Sequence, residues 1–362
     1  MASSEGAPIL HKETYRMAQK FVPVLAHDGH PLMPTIPSRA RRWIKTGKAT
    51  PFWSHGLFCV RLTVAPSHTQ TQAIATGIDP GSKREGYTVK STAHTYLNIQ
   101  AEAVTHVKKA VKTRYTMRHH RRYRQTPCRK HRKNRQRGGL PPSTKARWQW
   151  KLRIARWLMQ IFPITVFVVE DVTASTRPGK RRWNRNFSPL EVGKHWFYAQ
   201  LALLAPVLRQ SGWETQQQRD ALGVKKTSRK LAEVFAAHAV DSWTMAYQVV
   251  GGSPIPENTT LFCIAPIRLH RRQLHRLEPK KGDHGIRRPY GSTRGQGFKR
   301  GSLVQHPQWG VVYVGGTMGG QISLHRVSDG HRLTQNACPA DCRFLTYNAW
   351  KSHWAEARGT KS

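Results

Sequence analysis

Four acidic positions stand apart from the other acids of this chain because each lies beside core-forming residues. Asp79 closes the apolar run Ile74-Ala75-Thr76-Gly77-Ile78, and Glu170 with Asp171 closes a second run, Ile164-Thr165-Val166-Phe167-Val168-Val169. Asp241 lies on an apolar-periodic stretch, three residues after His238. A carboxylate in such surroundings is costly unless it is paired or metal-bound. Three that converge can hold two Mg2+ ions about 4 Å apart, an arrangement that hydrolyses phosphodiesters. One ion prepares the attacking water and the other stabilises the leaving 3′ oxygen. Each position also has a plainer reading. Asp79 before Pro80-Gly81 suits a turn, Glu170-Asp171 suits a cap for the next element, His238 suits a packed core histidine, and Asp241 suits a salt bridge. What joins them is the order: strand-Asp, strand-Glu, then His-x-x-Asp on a helix. Glu170 and Asp171 point to opposite faces if the strand persists, so either one could serve as the ligand.

The rest of the composition says what such a centre would meet. The 362 residues carry 60 Lys+Arg against 19 Asp+Glu, a formal charge of +41. The natural partner of that charge is a polyanion whose condensed ions are released on binding. A hydrophobic content of 38% with 12 Trp excludes a disordered basic tail, because this composition can bury a core. A carboxylate pointing at a polyanion works against binding unless a metal neutralises it, so the few acids beside the core are the informative ones. Between Arg114 and Arg137 there are nine Arg, two Lys and no acid. Such a run suits either contacts to phosphates, which would relieve the mutual repulsion of its cations, or a plain solvated charge run. A further basic loop, Lys180 to Asn186, contains Trp183, which suits either base stacking or an ordinary core position.

The apolar runs fall far short of the roughly 20 residues that span a bilayer, and the N-terminus lacks the pattern of an export signal, so a cytoplasmic protein without a membrane partner is expected. Five Cys without framework spacing suit a reducing compartment. Cys338 and Cys342 form a C-x3-C pair, which is half of a zinc site or simply two thiols.

The elements that must position these residues follow from periodicity. Residues 1–20 read as a flexible leader. The block 21–70 reads as a small α+β module with the segment Pro31-Leu32-Met33-Pro34, a basic helix from Ser38 to Thr46 and a strand from Leu57 to Val64. The stretch 71–108 holds the Asp79 strand and a return strand at Gly86-Tyr87-Thr88-Val89. A basic helix and its extension fill 109–140, with Pro127 stopping or kinking the helix. Alternating helices and strands occupy 141–258. Ser143 is the expected cap of a helix over Trp148 to Gln160, and further helices are predicted over His195 to Leu208 and Lys230 to Val249. After Pro254 and Pro256 the texture becomes β-rich, giving a last module over 259–362.

With these flanks, the order of acids resembles the split RuvC nuclease of the transposon-encoded RNA-guided proteins IscB and IsrB, relatives of the large CRISPR DNA-cutting effectors. Pro31-Leu32-Met33-Pro34 followed by Ser38-Arg39-Ala40-Arg41 resembles their opening PLMP module. Gly77-Ile78-Asp79-Pro80-Gly81-Ser82 resembles the first RuvC motif, Val168-Val169-Glu170 the second and His238-Ala239-Val240-Asp241 the third. The Arg114 to Arg137 run resembles the bridge helix with its extension, followed by Leu140-Pro141-Pro142-Ser143. IscB carries an HNH nuclease between the second and third motifs. Here 67 residues separate Glu170 from His238 and contain one histidine, His195, so the chain resembles the HNH-lacking branch, IsrB.

The resemblance implies an α/β protein with a split RuvC/RNase H-like domain, a mixed sheet flanked by helices, beside the PLMP module, the bridge helix and a β-rich C-terminal module. It implies an Mg2+-dependent nickase, a monomeric ribonucleoprotein with a structured guide called ωRNA. Such a protein opens duplex DNA next to a short adjacent motif, holds the RNA–DNA heteroduplex and nicks the non-target strand. Asp79, Glu170 and Asp241 would hold two Mg2+ ions, with Mn2+ as a substitute, and His238 would bind metal or move a proton. RNA contacts are expected from Arg114, Arg118, Arg121, Arg122, Arg124, Arg129, Arg132, Arg135 and Arg137. Contacts to DNA at the adjacent motif are expected from Arg287, Arg288, Arg294, Gln296, Lys299 and Arg300, near Phe298 to Val304, which resembles the start of the motif-reading module. A guide-bound DNA-binding protein without cleavage, and a structure-specific resolvase without RNA, are the rival readings.

Overall fold

The computed structural model describes residues 19–125, 140–172, 189–267, 275–277, 287–289, 294–347 and 350–355. Residues 1–18 of the expected leader, Pro127, Trp183 and Arg129, Arg132, Arg135 and Arg137 lie outside the described residues, as do the side chains of Arg121, Arg287, Arg288 and Arg294, whereas Gln19, expected in the flexible leader, is buried and donates to the Phe21 and Phe58 carbonyls.

The first elements are β1 (Val22–Leu25), β2 (Pro31–Thr35), α1 (Pro37–Lys45), β3 (Ala49–Ser54) and β4 (Leu57–Leu62). Then come β5 (Ile74–Asp79), β6 (Arg84–Ser91), β7 (Thr95–Glu102), α2 (His106–Tyr123), α3 (Pro142–Ile161) and β8 (Val166–Glu170). Next are α4 (Pro189–Ala202), β9 (Val207–Gln210), α5 (Gly212–Ala221) and α6 (Ala239–Val250). The remainder is β: β10 (Leu261–Pro266), β11 (His275–Leu277), β12 (Arg287–Pro289), β13 (Arg294–Gly295), β14 (Phe298–Lys299) and β15 (Ser302–His306). It closes with β16 (Gly310–Met318), β17 (Gln321–Arg326), β18 (Arg332–Ala337), β19 (Arg343–Tyr347) and β20 (Trp350–Trp354).

The chain divides into two compact units, one of Asp28–Pro34 with Ser67–Leu261, the other of Met1–His27, Thr35–Pro66 and Phe262–Ser362. In the second, β1 runs parallel to β4 and β4 antiparallel to β3. Five strands form a sheet in the order β18-β17-β16-β15-β19 over a core that includes Val304, Val312, Val314, Ile322 and Leu324.

The first unit is built on strands in the order β7-β6-β5-β8-β9. β5, β6 and β7 pair antiparallel, whereas β8 pairs parallel with β5 and β9 parallel with β8. A three-stranded meander continued by two parallel strands, with helices against the sheet, is the RuvC/RNase H-like arrangement. β5 is buried along its whole length, which explains its largely apolar sequence before Asp79.

Which helices lie on which face follows from alternation along β6. Glu85 and Tyr87 face α3, where Lys151 pairs with Glu85. Gly86 and Thr88 face α6: Thr88 Oγ1 lies 2.9 Å from Ser242 Oγ, and a Cβ on Gly86 would sit 2.3 Å from the His238 carbonyl. Gly77 on β5 has the same purpose, since a Cβ there would fall 1.8 Å from the Ser242 carbonyl. These two glycines let α6 lie directly on the strands. Buried Val240, Trp243, Met245 and Ala246 secure it, and Trp243 Nε1 donates to Thr95 Oγ1 at 2.9 Å. Each large apolar side chain buried in this way contributes roughly 1.5–3 kcal/mol.

Three local expectations are corrected. The third helix starts at Pro142 rather than near Trp148, and Ser143 does not cap it, because Pro141 is the cap residue and Pro142 takes the first helical position. The predicted helix over His195 to Leu208 ends at Ala202, and Leu208 lies in β9. The predicted helix over Lys230 to Val249 begins only at Ala239; residues 229–237 form successive turns, and His238 is the cap residue with φ −132°. Its ring is held between Asp79 and the Lys230 carbonyl, and that polar anchoring overrides the helical periodicity of the preceding residues.

Candidate active site

Parallel pairing of β5 with β8 aligns Gly77 with Val168 and Ile78 with Val169, so the next step brings Asp79 and Glu170 side by side at the two carboxyl ends. Neighbouring strands stand about 4.8 Å apart, which sets the spacing of the two acids. Open α/β sheets place their ligands at this end. Alternation puts Asp79 and Gly77 on the α6 face, and α6 presents Asp241 in its first turn.

The Asp79 carboxylate is buried, and its Oδ2 lies 3.1 Å from His238 Nδ1. His238 Nε2 lies 3.0 Å from the Lys230 carbonyl oxygen, which can only accept, so Nε2 carries a hydrogen and donates it. Nδ1, the other ring nitrogen, faces Asp79. The His238 side chain is therefore oriented by two contacts, and it meets Asp79 from the residue preceding α6, not from the helix face that sequence periodicity suggested.

Burial pushes the Glu170 carboxyl up to about 8, with the charge of Asp79, a hydrogen bond to Asp79 and the charge of Asp241 adding to the effect, and Lys226 opposing it. Asp171 turns the other way. Lys194 Nζ lies 2.8 Å from its Oδ1, and the Tyr198 hydroxyl donates to the same atom at 3.0 Å. Burial pushes Asp171 up, but these hydrogen bonds and the charges of Lys194 and Arg209 outweigh it and hold the carboxyl below its ordinary value. The alternation that left Glu170 and Asp171 open thus separates them: Glu170 faces Asp79 and Asp171 is tied to α4.

Asp241 is 2% exposed, and both of its oxygens are engaged. Arg219 Nη1 on α5 contacts Oδ1 at 2.6 Å, and Lys226 Nζ contacts Oδ2. Burial pushes the Lys226 ammonium down, but the hydrogen bond and charge of Asp241, with the charges of Asp79 and Glu170, hold it above its ordinary value. α5 reaches the site because β9 pairs with β8, opposite Glu170 at Gln210. Ser211 then caps the helix in a reciprocal capping box with Glu214. Gly212 follows, and a Cβ there would lie 2.8 Å from Glu170 Oε1. Beneath the centre, fully buried Glu85 accepts from Lys151 and from the Tyr87 hydroxyl at 2.8 Å. Burial is the main reason why the Glu85 carboxyl lies above its ordinary value, and Asp79 adds to the rise.

Sequence reasoning missed Arg219, Lys226, Glu85, Lys151 and Gly212. The only local hint was Ser211-Gly212-Trp213-Glu214, which has the capping-box spacing. The donor set suits a hard divalent cation: Asp79, Glu170 and Asp241 offer oxygens only.

The nucleic-acid candidates are dispersed. Arg114, Arg118, Arg122 and Arg124 are exposed on or beside α2, whose face also exposes Tyr115, Met117 and Tyr123. Gln296 is exposed in the β13–β14 turn with φ 51°, Arg300 is exposed, and Lys299 Nζ lies 5.1 Å from the centre of the Tyr347 ring. Cys338 is exposed and Cys342 buried, and among the described residues no third metal-binding side chain joins them.

Strand order and pairing give the chain a RuvC/RNase H-like fold, with Asp79 and Glu170 side by side at the strand ends. Residues 22–182, less than half of the chain, match the model of a family described as RRXRR protein. None of the curated proteins matches. Three similar solved structures cover half of the chain or nearly so. The Thermus thermophilus RuvC in complex with a Holliday junction substrate is 14% identical, covering 50% of this chain and 97% of that one, with a TM-score of 0.28. Thermus thermophilus RuvC alone is 13% identical, with 49% and 96% covered and a TM-score of 0.27. The yeast mitochondrial Holliday junction resolvase Ydc2 is 15% identical, with 50% and 78% covered and a TM-score of 0.26.

Proposed function

We propose that this protein is an ωRNA-guided DNA endonuclease of the RuvC-only type, which opens duplex DNA beside a short adjacent motif and nicks the non-target strand. The observation that carries the reading is the placement of Asp79 and Glu170 side by side at the carboxyl ends of two adjoining parallel strands, with His238 against Asp79 and Asp241 near enough to act on Glu170. The RRXRR match and the exposed, acid-free helix α2 support it.

Asp79, Glu170 and Asp241 would hold two Mg2+ ions, with Mn2+ as a substitute. When bound, the ions supply an activated water and offset the charge of the pentacovalent transition state. The side chains orient that chemistry. Asp79 and Glu170 stand side by side, and Glu170 must release a proton to act as a ligand. His238 donates its Nε2 hydrogen to Lys230, which fixes the ring and leaves Nδ1 as the atom that takes or returns a proton. Arg219 keeps the Asp241 oxygens aimed inward, and Gly212 leaves Glu170 room beside the end of α5.

Arg114, Arg118 and Arg122 fork onto RNA phosphates, a geometry that Lys cannot reproduce. Guide pairing reads the target, and the protein grips the A-form heteroduplex by shape. Gln296, Lys299 and Arg300 contact DNA near the adjacent motif.

Asp79→Ala in the co-expressed ribonucleoprotein should lower Mg2+-dependent nicking by about a thousandfold or more, because one of the carboxylates that would hold the metal is lost. Co-purifying RNA should remain. Undiminished cleavage by the pure variant overturns the reading.

A further inference from the structure

The centre contains two cations that sequence patterns do not connect to it, and they differ in kind. The Arg219 side chain is 13% exposed, comes from α5 and reaches one oxygen of Asp241; that of Lys226 is 31% exposed, comes from the segment after α5 and reaches the other. Asp241 is 2% exposed and cannot turn to water. The Lys226 charge also acts on Asp79 and Glu170, so its ammonium stands in the field of all three carboxylates. A divalent cation shared by these ligands would need the same field.

We propose that Lys226 is an internal counter-ion that stands in for a divalent cation at this centre and withdraws from Asp241 when metal binds, with Arg219 the positioning residue that holds Asp241 through the exchange. This rests on the metal-dependent nuclease reading above. The flexible, more exposed ammonium is the cation that can leave, and the planar guanidinium on a helix is the one that stays. A buried carboxylate cluster without any cation would be unstable, so Lys226 allows the protein to fold metal-free. Metal binding is then an exchange, and its affinity is reduced by the contact that must break.

The test is titration of Mn2+ into full-length, chelator-treated protein, followed by calorimetry and by the electron paramagnetic resonance of free Mn2+. Lys226→Met and Lys226→Gln should bind Mn2+ about tenfold more tightly than the wild type, because the competing charge is gone. Their metal-free forms should melt at lower temperature, and Mn2+ should raise that temperature further than in the wild type. Arg219→Met should bind Mn2+ more weakly. Equal or weaker binding by both Lys226 variants overturns the counter-ion role alone. So does a Mn2+-bound wild-type crystal structure with Lys226 still on Asp241, a result independent of whether the variants fold. Mn2+ binding unchanged by Asp79→Asn overturns the metal centre itself, and the counter-ion role with it.

Discussion

At the scale of single residues, the centre is a problem of like charges solved by position. Glu170 keeps its proton to about pH 8 because it is buried beside Asp79 and Asp241. The folded protein thus holds a proton that a free glutamate, with a value of 4.5, has already lost. The associated stability is fully present below that ordinary value and is lost as pH rises through about 8 in metal-free protein. A divalent ion reverses the balance by favouring the ionised form. The rise in melting temperature on adding Mg2+ should therefore grow from pH 6 to pH 9, and Glu170→Gln should abolish that pH dependence. Thermal melts with and without Mg2+ check this, and a pH-independent gain in the wild type would count against Glu170 as a ligand. Asp171→Asn should leave metal binding intact, because its carboxylate is tied to Lys194 and Tyr198 on the other side of the strand.

At the scale of elements, the site depends on how closely α6 approaches the sheet. Gly77 and Gly86 permit that approach, since a Cβ at either would meet the backbone carbonyl of Ser242 or His238. Gly77→Ala should force α6 outward and cost about 1–3 kcal/mol, as overpacking does. Denaturant unfolding measures the loss, which should be accompanied by weaker metal binding. Ser211→Ala removes half of the capping box of α5 and should cost about 1 kcal/mol. How legible these elements were depended on range. The Asp79 and Glu170 strands were readable because each is a short apolar run ended by an acid. The start of α6 was not, because Lys230 to Val249 keeps helical spacing while His238 is held by Asp79, 159 residues away. Periodicity registers only neighbours along the chain, and the competing contact comes from another strand.

At the scale of the whole molecule, the formal net charge is +41, and the arginines described along α2 lie at the surface. The exposed arginines of α2 form no core, so replacing Arg114, Arg118 and Arg122 by Glu should leave the melting temperature within about 1 kcal/mol of equivalent stability. The same triple variant should lose co-purifying RNA and show a shallower salt dependence of RNA binding, measured by filter binding at several salt concentrations. Unchanged RNA retention would remove α2 from the RNA interface.

The amino-acid sequence by itself determined the large excess of positive charge, the α/β character, and the order of Asp79, Glu170, His238 and Asp241 along the chain, because composition and short apolar runs are local properties. Only the tertiary structure put Glu170 beside Asp79 and Asp171 beside Lys194, since that placement depends on which strand face meets Asp79. It also brought Arg219 and Lys226 to Asp241 and Lys151 to Glu85. Those pairs form across elements whose separation in sequence carries no pattern, and burial makes each charge find its partner in space.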